Sequence, residues 1–114
     1  MKDKIKCLKE TLNYISQNTG YDKYATFYNV IQNSDFSKDM VLNTIYECEN
    51  EGLFSEVEHM EGAPDTGRIY SLSPEGRKFL ENLNTTPIEK IIQMIPTVNN
   101  FFSLIGTIKS ILFP

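Results

Sequence analysis

The sequence predicts a mainly α fold with a small β-hairpin, an α+β domain in the order helix, helix, helix, hairpin, helix, continued by an apolar C-terminal helix. Three observations predict it. Apolar residues recur at helical spacing through the first half of the chain. The period then switches to short extended runs around the loop Glu61-Gly62-Ala63-Pro64-Asp65-Thr66-Gly67. Past residue 84 helical spacing returns with a far higher apolar density, which divides a domain over residues 1–84 from an apolar segment over 85–114.

The first helix is read over Lys2–Gln17, where Ile5, Leu8, Leu12 and Ile15 form one stripe and Lys2, Lys6, Lys9 and Glu10 lie outside it. Asn18-Thr19-Gly20 supplies the stop, with Gly20 suited to a left-handed position. A second helix is expected over Asp22–Gln32, burying Tyr24, Phe27, Val30 and Ile31. Ser37 is placed to cap a third, whose inward residues are Val41, Leu42, Ile45 and Cys48 and whose stop is Gly52. Phe54, Val57 and His59 form the first extended run, and Arg68–Leu72 the second, with Ile69 and Tyr70 on opposite faces. Ser73-Pro74-Glu75 opens the next helix, carried inward by Phe79, Leu80 and Leu83.

A helix ending in Gly52-Leu53-Phe54, a hairpin, and then Leu72-Ser73-Pro74-Glu75-Gly76-Arg77-Lys78-Phe79-Leu80 resembles the exit from the wing in bacterial winged-helix proteins, the MarR and PadR regulators among them. It is most similar to that step in small prophage proteins of the YjcQ-like kind, which join such a domain to a C-terminal helical extension. The resemblance covers roughly Ser37 to Leu83. It implies a winged helix-turn-helix, and a binding role whose target the fold alone leaves open among DNA, RNA and protein.

In the C-terminal segment Thr86-Pro87-Ile88-Glu89 reads as a helix start, with Thr86 as its cap. Ile91, Met94, Val98, Phe101, Ile105, Ile108 and Leu112 then follow in a seven-residue repeat, widened by neighbouring apolar residues. Leaving this stripe in water would cost several kcal/mol at about 25 cal/mol per Å². The possible covers are the chain's own first helix, a second copy, or a partner groove or membrane surface. A homodimer seam, alone or with intrachain packing, is the expectation. Pro96, Asn99, Asn100 and Lys109 argue against a membrane span, and Pro96 should kink or split the helix after Ile95.

Chemistry is sparse. There is one histidine, His59, and the sequence lacks a phosphate-binding glycine loop, a His-Glu-x-x-His and a Gly-x-Ser-x-Gly. Cys7 and Cys48 fall in apolar helical patterns and read as buried thiols. No cofactor, metal or catalysis is expected. The opening MKDKIKCLKE is not followed by an apolar signal core, so a cytoplasmic location is expected.

Charge is uneven. Residues 1–34 carry +2, residues 35–65 carry −8 and residues 66–114 carry +2, for a net −4. The acidic block spans the third helix and the first part of the hairpin, the elements that dock on duplex DNA in a winged helix. Two expectations follow. The first is a dimeric DNA-binding transcriptional regulator of prophage or mobile-element type, using Ser37, Lys38, Asn43 and Thr44 at the third helix and Arg68, Arg77 and Lys78 on the backbone. The second is a protein-binding accessory module whose face of Glu47, Glu49, Glu51, Glu56, Glu58, Glu61 and Asp65 meets a basic, nucleic-acid-binding partner.

Overall fold

A computed structural model describes residues 1–95 and 103–113. The described elements run α1 (Lys2–Asn18), β1 (Ala25–Thr26), α2 (Phe27–Gln32), α3 (Lys38–Asn50), β2 (Phe54–Met60), β3 (Ala63–Leu72), α4 (Pro74–Thr85), α5 (Ile88–Met94) and α6 (Leu104–Leu112). The fold is α+β: helices around a small antiparallel sheet of strand order β1-β3-β2.

The stripe Ile5, Leu8, Leu12 and Ile15 makes α1 the centre of the core, where it meets α2, α3, α4, α5 and β3. Ser37 caps α3 by accepting from the Met40 N–H at 3.2 Å, and Val41, Ile45 and Cys48 are buried along it. Gly52, at φ 75°, ends the helix in the left-handed region that a side chain would strain.

The sheet departs from the sequence expectation in two ways. Residues 25–26 pair with β3, Ala25 opposite Ile69 and Thr26 opposite Arg68, so the second helix starts only at Phe27. Thr26 caps it, accepting from the Asn29 N–H at 3.0 Å. Two residues of strand leave no period to read. The hairpin is also longer than expected: Met60 pairs with Ala63 across Glu61-Gly62, so most of the supposed loop is strand. Gly62 at φ 75° makes this tight turn possible. Ala25 and Ile69 point into the core, and Thr26, Arg68 and Glu58 occupy the opposite face.

Ser73 joins the end of α3 to the start of α4. Its N–H donates to Leu53 O at 2.9 Å, its hydroxyl donates to Gly52 O at 2.7 Å, and the same oxygen accepts from the Gly76 N–H at 2.9 Å. Gly76 sits so close to Leu53 that a Cβ would run into the Leu53 carbonyl. The Gly-Leu-Phe and Ser-Pro-Glu-Gly segments are therefore two halves of one junction.

Thr86 does not cap the next helix as expected. Its hydroxyl donates backwards to Asn82 O at 2.7 Å, closing α4, and α5 begins after Pro87 without a side-chain cap. The last described helices are separate: α5 ends at Met94 and α6 begins at Leu104 under a Ser103 cap that accepts from the Gly106 N–H at 3.0 Å. Pro96 lies outside the described residues.

Both helices close the chain's own core. Ile91 of α5 packs toward α1, and Ile105 and Ile108 of α6 pack toward α3 and α4, all three fully or almost fully buried. Phe113 stacks on Phe79 with ring centroids 6.2 Å apart. Lys109 pins the arrangement, its ammonium donating to Glu51 O at 2.7 Å and lying 2.7 Å from Glu75 Oε1.

Candidate binding surface

The surface formed by α3 and the hairpin carries the residues expected to bind, and several of its charges are mutually engaged. Lys38, the first residue of α3, reaches across to β3 and lies 2.7 Å from Asp65 Oδ2. That hydrogen bond, followed by charge attraction, holds the Lys38 ammonium above its usual range; the same bond, then a backbone hydrogen bond and the lysine's charge, holds the Asp65 carboxyl below its own. On the adjoining strands Arg68 Nη1 donates to Glu58 Oε1 at 3.2 Å, while its guanidinium lies over the Tyr24 ring at 5.0 Å.

Other carboxylates of the acidic block are similarly occupied. Glu49 meets His59 Nε2 at 2.8 Å, and the His59 ring stacks on Tyr46 and stands edge-on to Phe27. Glu51 lies 3.9 Å from Lys109 Nζ. Partial burial pushes the Glu47 carboxyl up, opposed by the nearby Lys4. Among the described residues Glu56 and Glu61 have no ion-pair partner.

Of the residues expected to touch nucleic acid, Thr44 is turned inward. Thr44 is only 7% exposed, because it packs toward α1: its hydroxyl donates to Met40 O at 2.8 Å and lies 3.6 Å from Cys7 Sγ. It is not presented to a base edge. Ser37 is engaged as a cap and Asn43 is exposed. Arg77 donates back to Leu72 O at 3.0 Å, and Lys78 is exposed on α4. Ser37 and Asn43 line a groove of about 460 Å³ whose other wall includes Leu104 and Ile105, so α6 flanks the exposed side of α3.

No protein-family model, curated protein or solved structure matches this chain.

Among the described residues the expected C-terminal seam is mostly interior. Ile91, Ile105 and Ile108 are buried within the chain, Leu112 is half-buried, and Met94 is 41% exposed. Val98 and Phe101 lie outside the described residues. No helix among the described residues is long and apolar enough to cross a membrane, and no group of three or more His, Cys, Asp or Glu among them is placed to hold a metal ion.

Tyr24, expected in the core, is 47% exposed, and Tyr28 (64%) and Met60 (51%) lie open near it. Tyr24 meets Tyr70 with centroids 5.7 Å apart. Beside them Thr26, Tyr28, Met60, Thr66, Gly67 and Arg68 line a shallow, largely apolar depression of about 350 Å³. The outward side of Tyr70 was legible from its alternation with Ile69, whereas that of Tyr24 with Ala25 becomes legible only once β1 is known to be a strand.

Proposed function

We propose that this chain is a non-catalytic binding module of winged-helix type, and that its target is a protein with a basic surface. One observation carries this reading: the two cations best placed to hold phosphates, Lys38 and Arg68, are each paired with a carboxylate of the same surface. Non-specific DNA affinity comes from cations that neutralise phosphates. Here those cations are already neutralised, within a block of net charge −8.

Two further observations support the reading. The order α1-β1-α2-α3-β2-β3, with β1 joining the hairpin as an edge strand, suits a winged helix-turn-helix. The self-covered C-terminal residues suit a module that meets a partner by its sheet and α3 surfaces, not by a seam between copies. The resemblance to small prophage proteins suggests a mobile-element accessory role inside a cell.

The second reading is a DNA-binding transcriptional regulator. The same element order favours it, as do the exposed Asn43 at α3 and Lys78 on α4. Fluorescence polarisation with random-sequence duplex at low salt separates the two. The protein-binding reading expects no association there, where electrostatics are most favourable to DNA. Binding that falls steeply with added salt would replace it by the regulator.

A further inference from the structure

On the reading that the target is a protein, we infer that the open face of the sheet is the docking surface, and that its occupant is a protein segment carrying Arg or Lys beside a large apolar side chain. Thr26 on β1 and Tyr24 just before it, Arg68 and Tyr70 on β3, and Glu58 on β2 share this side, and Tyr28 and Met60 add to it from α2 and the end of β2. Tyr, Met and Arg are the residue types over-represented at protein interfaces and their energetic centres. Tyr28, Met60 and Arg68 are exposed together around one depression, which is large enough to receive a single bulky apolar side chain.

Charge complementarity selects the rest of the occupant. Glu56 on β2 and Glu61 in the turn after it have no ion-pair partner among the described residues. The ring of Tyr24 already takes a guanidinium on its face, that of Arg68, while the exposed Tyr28 ring takes none among the described residues. An incoming Arg or Lys can lie over Tyr28 and meet a free carboxylate, with its apolar neighbour in the depression. Unpaired bases also stack on tyrosines, but such platforms lie in positively charged grooves. On this face the one arginine is paired with Glu58.

Titrating the ¹⁵N-labelled protein with a short synthetic peptide of alternating Arg and Leu tests the assignment, beside an Arg/Gly peptide of equal charge and an oligo-dT strand. The Arg/Leu peptide should shift the amides of Thr26, Tyr28, Met60 and Arg68 and bind about tenfold or more tighter than Arg/Gly. Tyr28→Ala with Met60→Ala, both at exposed positions, should abolish that preference and leave the remaining spectrum native. Glu56→Gln with Glu61→Gln should weaken both peptides. Equal binding of the two peptides would overturn the assignment, as would shifts of this face by oligo-dT. Peptide shifts confined to α3 would overturn the surface and leave protein binding intact, whereas duplex binding without peptide binding would remove the underlying reading.

Discussion

Lys38 Nζ lies 2.7 Å from Asp65 Oδ2, tying the first turn of α3 to a hairpin residue 27 positions away. Both groups face solvent, so the pair adds little to stability. Its consequence is electrostatic: a cation at the place where phosphates would be met is cancelled in place. Asp65→Asn combined with Glu58→Gln should free Lys38 and Arg68 without unfolding the domain. Weak, salt-sensitive duplex binding should then appear at low salt, where the unmodified protein should show none. If both proteins bind alike, the carboxylates do not mask the cations.

The same pair sets a pH response. The folded Asp65 carboxyl titrates below its ordinary value, so its contribution is present above about 3.9 and is lost as pH falls through the lower folded value. Lys38, raised above its ordinary value, keeps its charge throughout the neutral range. NMR signals of Lys38 and Thr66 should hold steady from neutral pH down to about 4 and move together below it. Movement centred near pH 6 would assign the contact to another group.

Gly76→Ala should destabilise the domain by roughly 1–3 kcal/mol or more, through overpacking against the Leu53 carbonyl. Gly62→Ala strains a left-handed turn but meets nothing within 4 Å, and should cost less. Urea denaturation ranks the two. The reverse order would mean that the α3–α4 junction yields more readily than the turn.

Ile105→Ala should cost about 2–5 kcal/mol, because its side chain fills the chain's own core. Lys109→Met should cost about 1–3 kcal/mol by leaving the Glu51 carbonyl and the Glu75 carboxylate without their donor. Ile105→Asp should unfold the protein. A soluble, folded monomer produced from a dimer by Ile105→Asp would instead restore the seam between copies.

Cys7 and Cys48 are both free and buried, and burial pushes the Cys48 thiol well up. Neither should react with a disulfide reagent at neutral pH until the chain unfolds, and both should react in denaturant. With the folded value raised, the thiol's contribution is complete below the ordinary thiol pKa of about 8.5 and declines as pH rises beyond it. Stoichiometric labelling of the native protein would contradict this packing.

Much of the fold was legible because local chemistry and tertiary packing agree. The α1 stripe, the Ser37 and Ser73 caps, the Gly52 stop and Pro74 in the first turn of α4 all stand where the pattern placed them. What escaped depends on distant partners. Ala25 and Thr26 are strand only because Ile69 and Arg68 lie beside them, and that pairing turns Tyr24 outward.

The candidate surface was legible by charge but not by geometry. Nine acids against one lysine in residues 35–65 can be counted, but which of them meet Lys38, His59, Arg68 and Lys109 depends on the fold. Thr44 is polar and stands on the third helix beside Asn43, which suggests a base contact, but Cys7 on α1 draws it inward. The C-terminal repeat gave the apolar positions and left open which surface covers them.

The central place of α1 also bears on how quickly the chain can fold. Asn13 on α1 exchanges side-chain hydrogen bonds with Asn84, 71 residues along the chain, at 3.1 and 2.9 Å. A helix formed early must therefore wait for partners made late, and bringing them together closes a long loop whose entropy is lost before the contacts compensate it. The tight turn at Glu61-Gly62 lets β2 and β3 meet locally, so the hairpin should form ahead of the core, and docking of α4 and α5 onto α1 should set the rate.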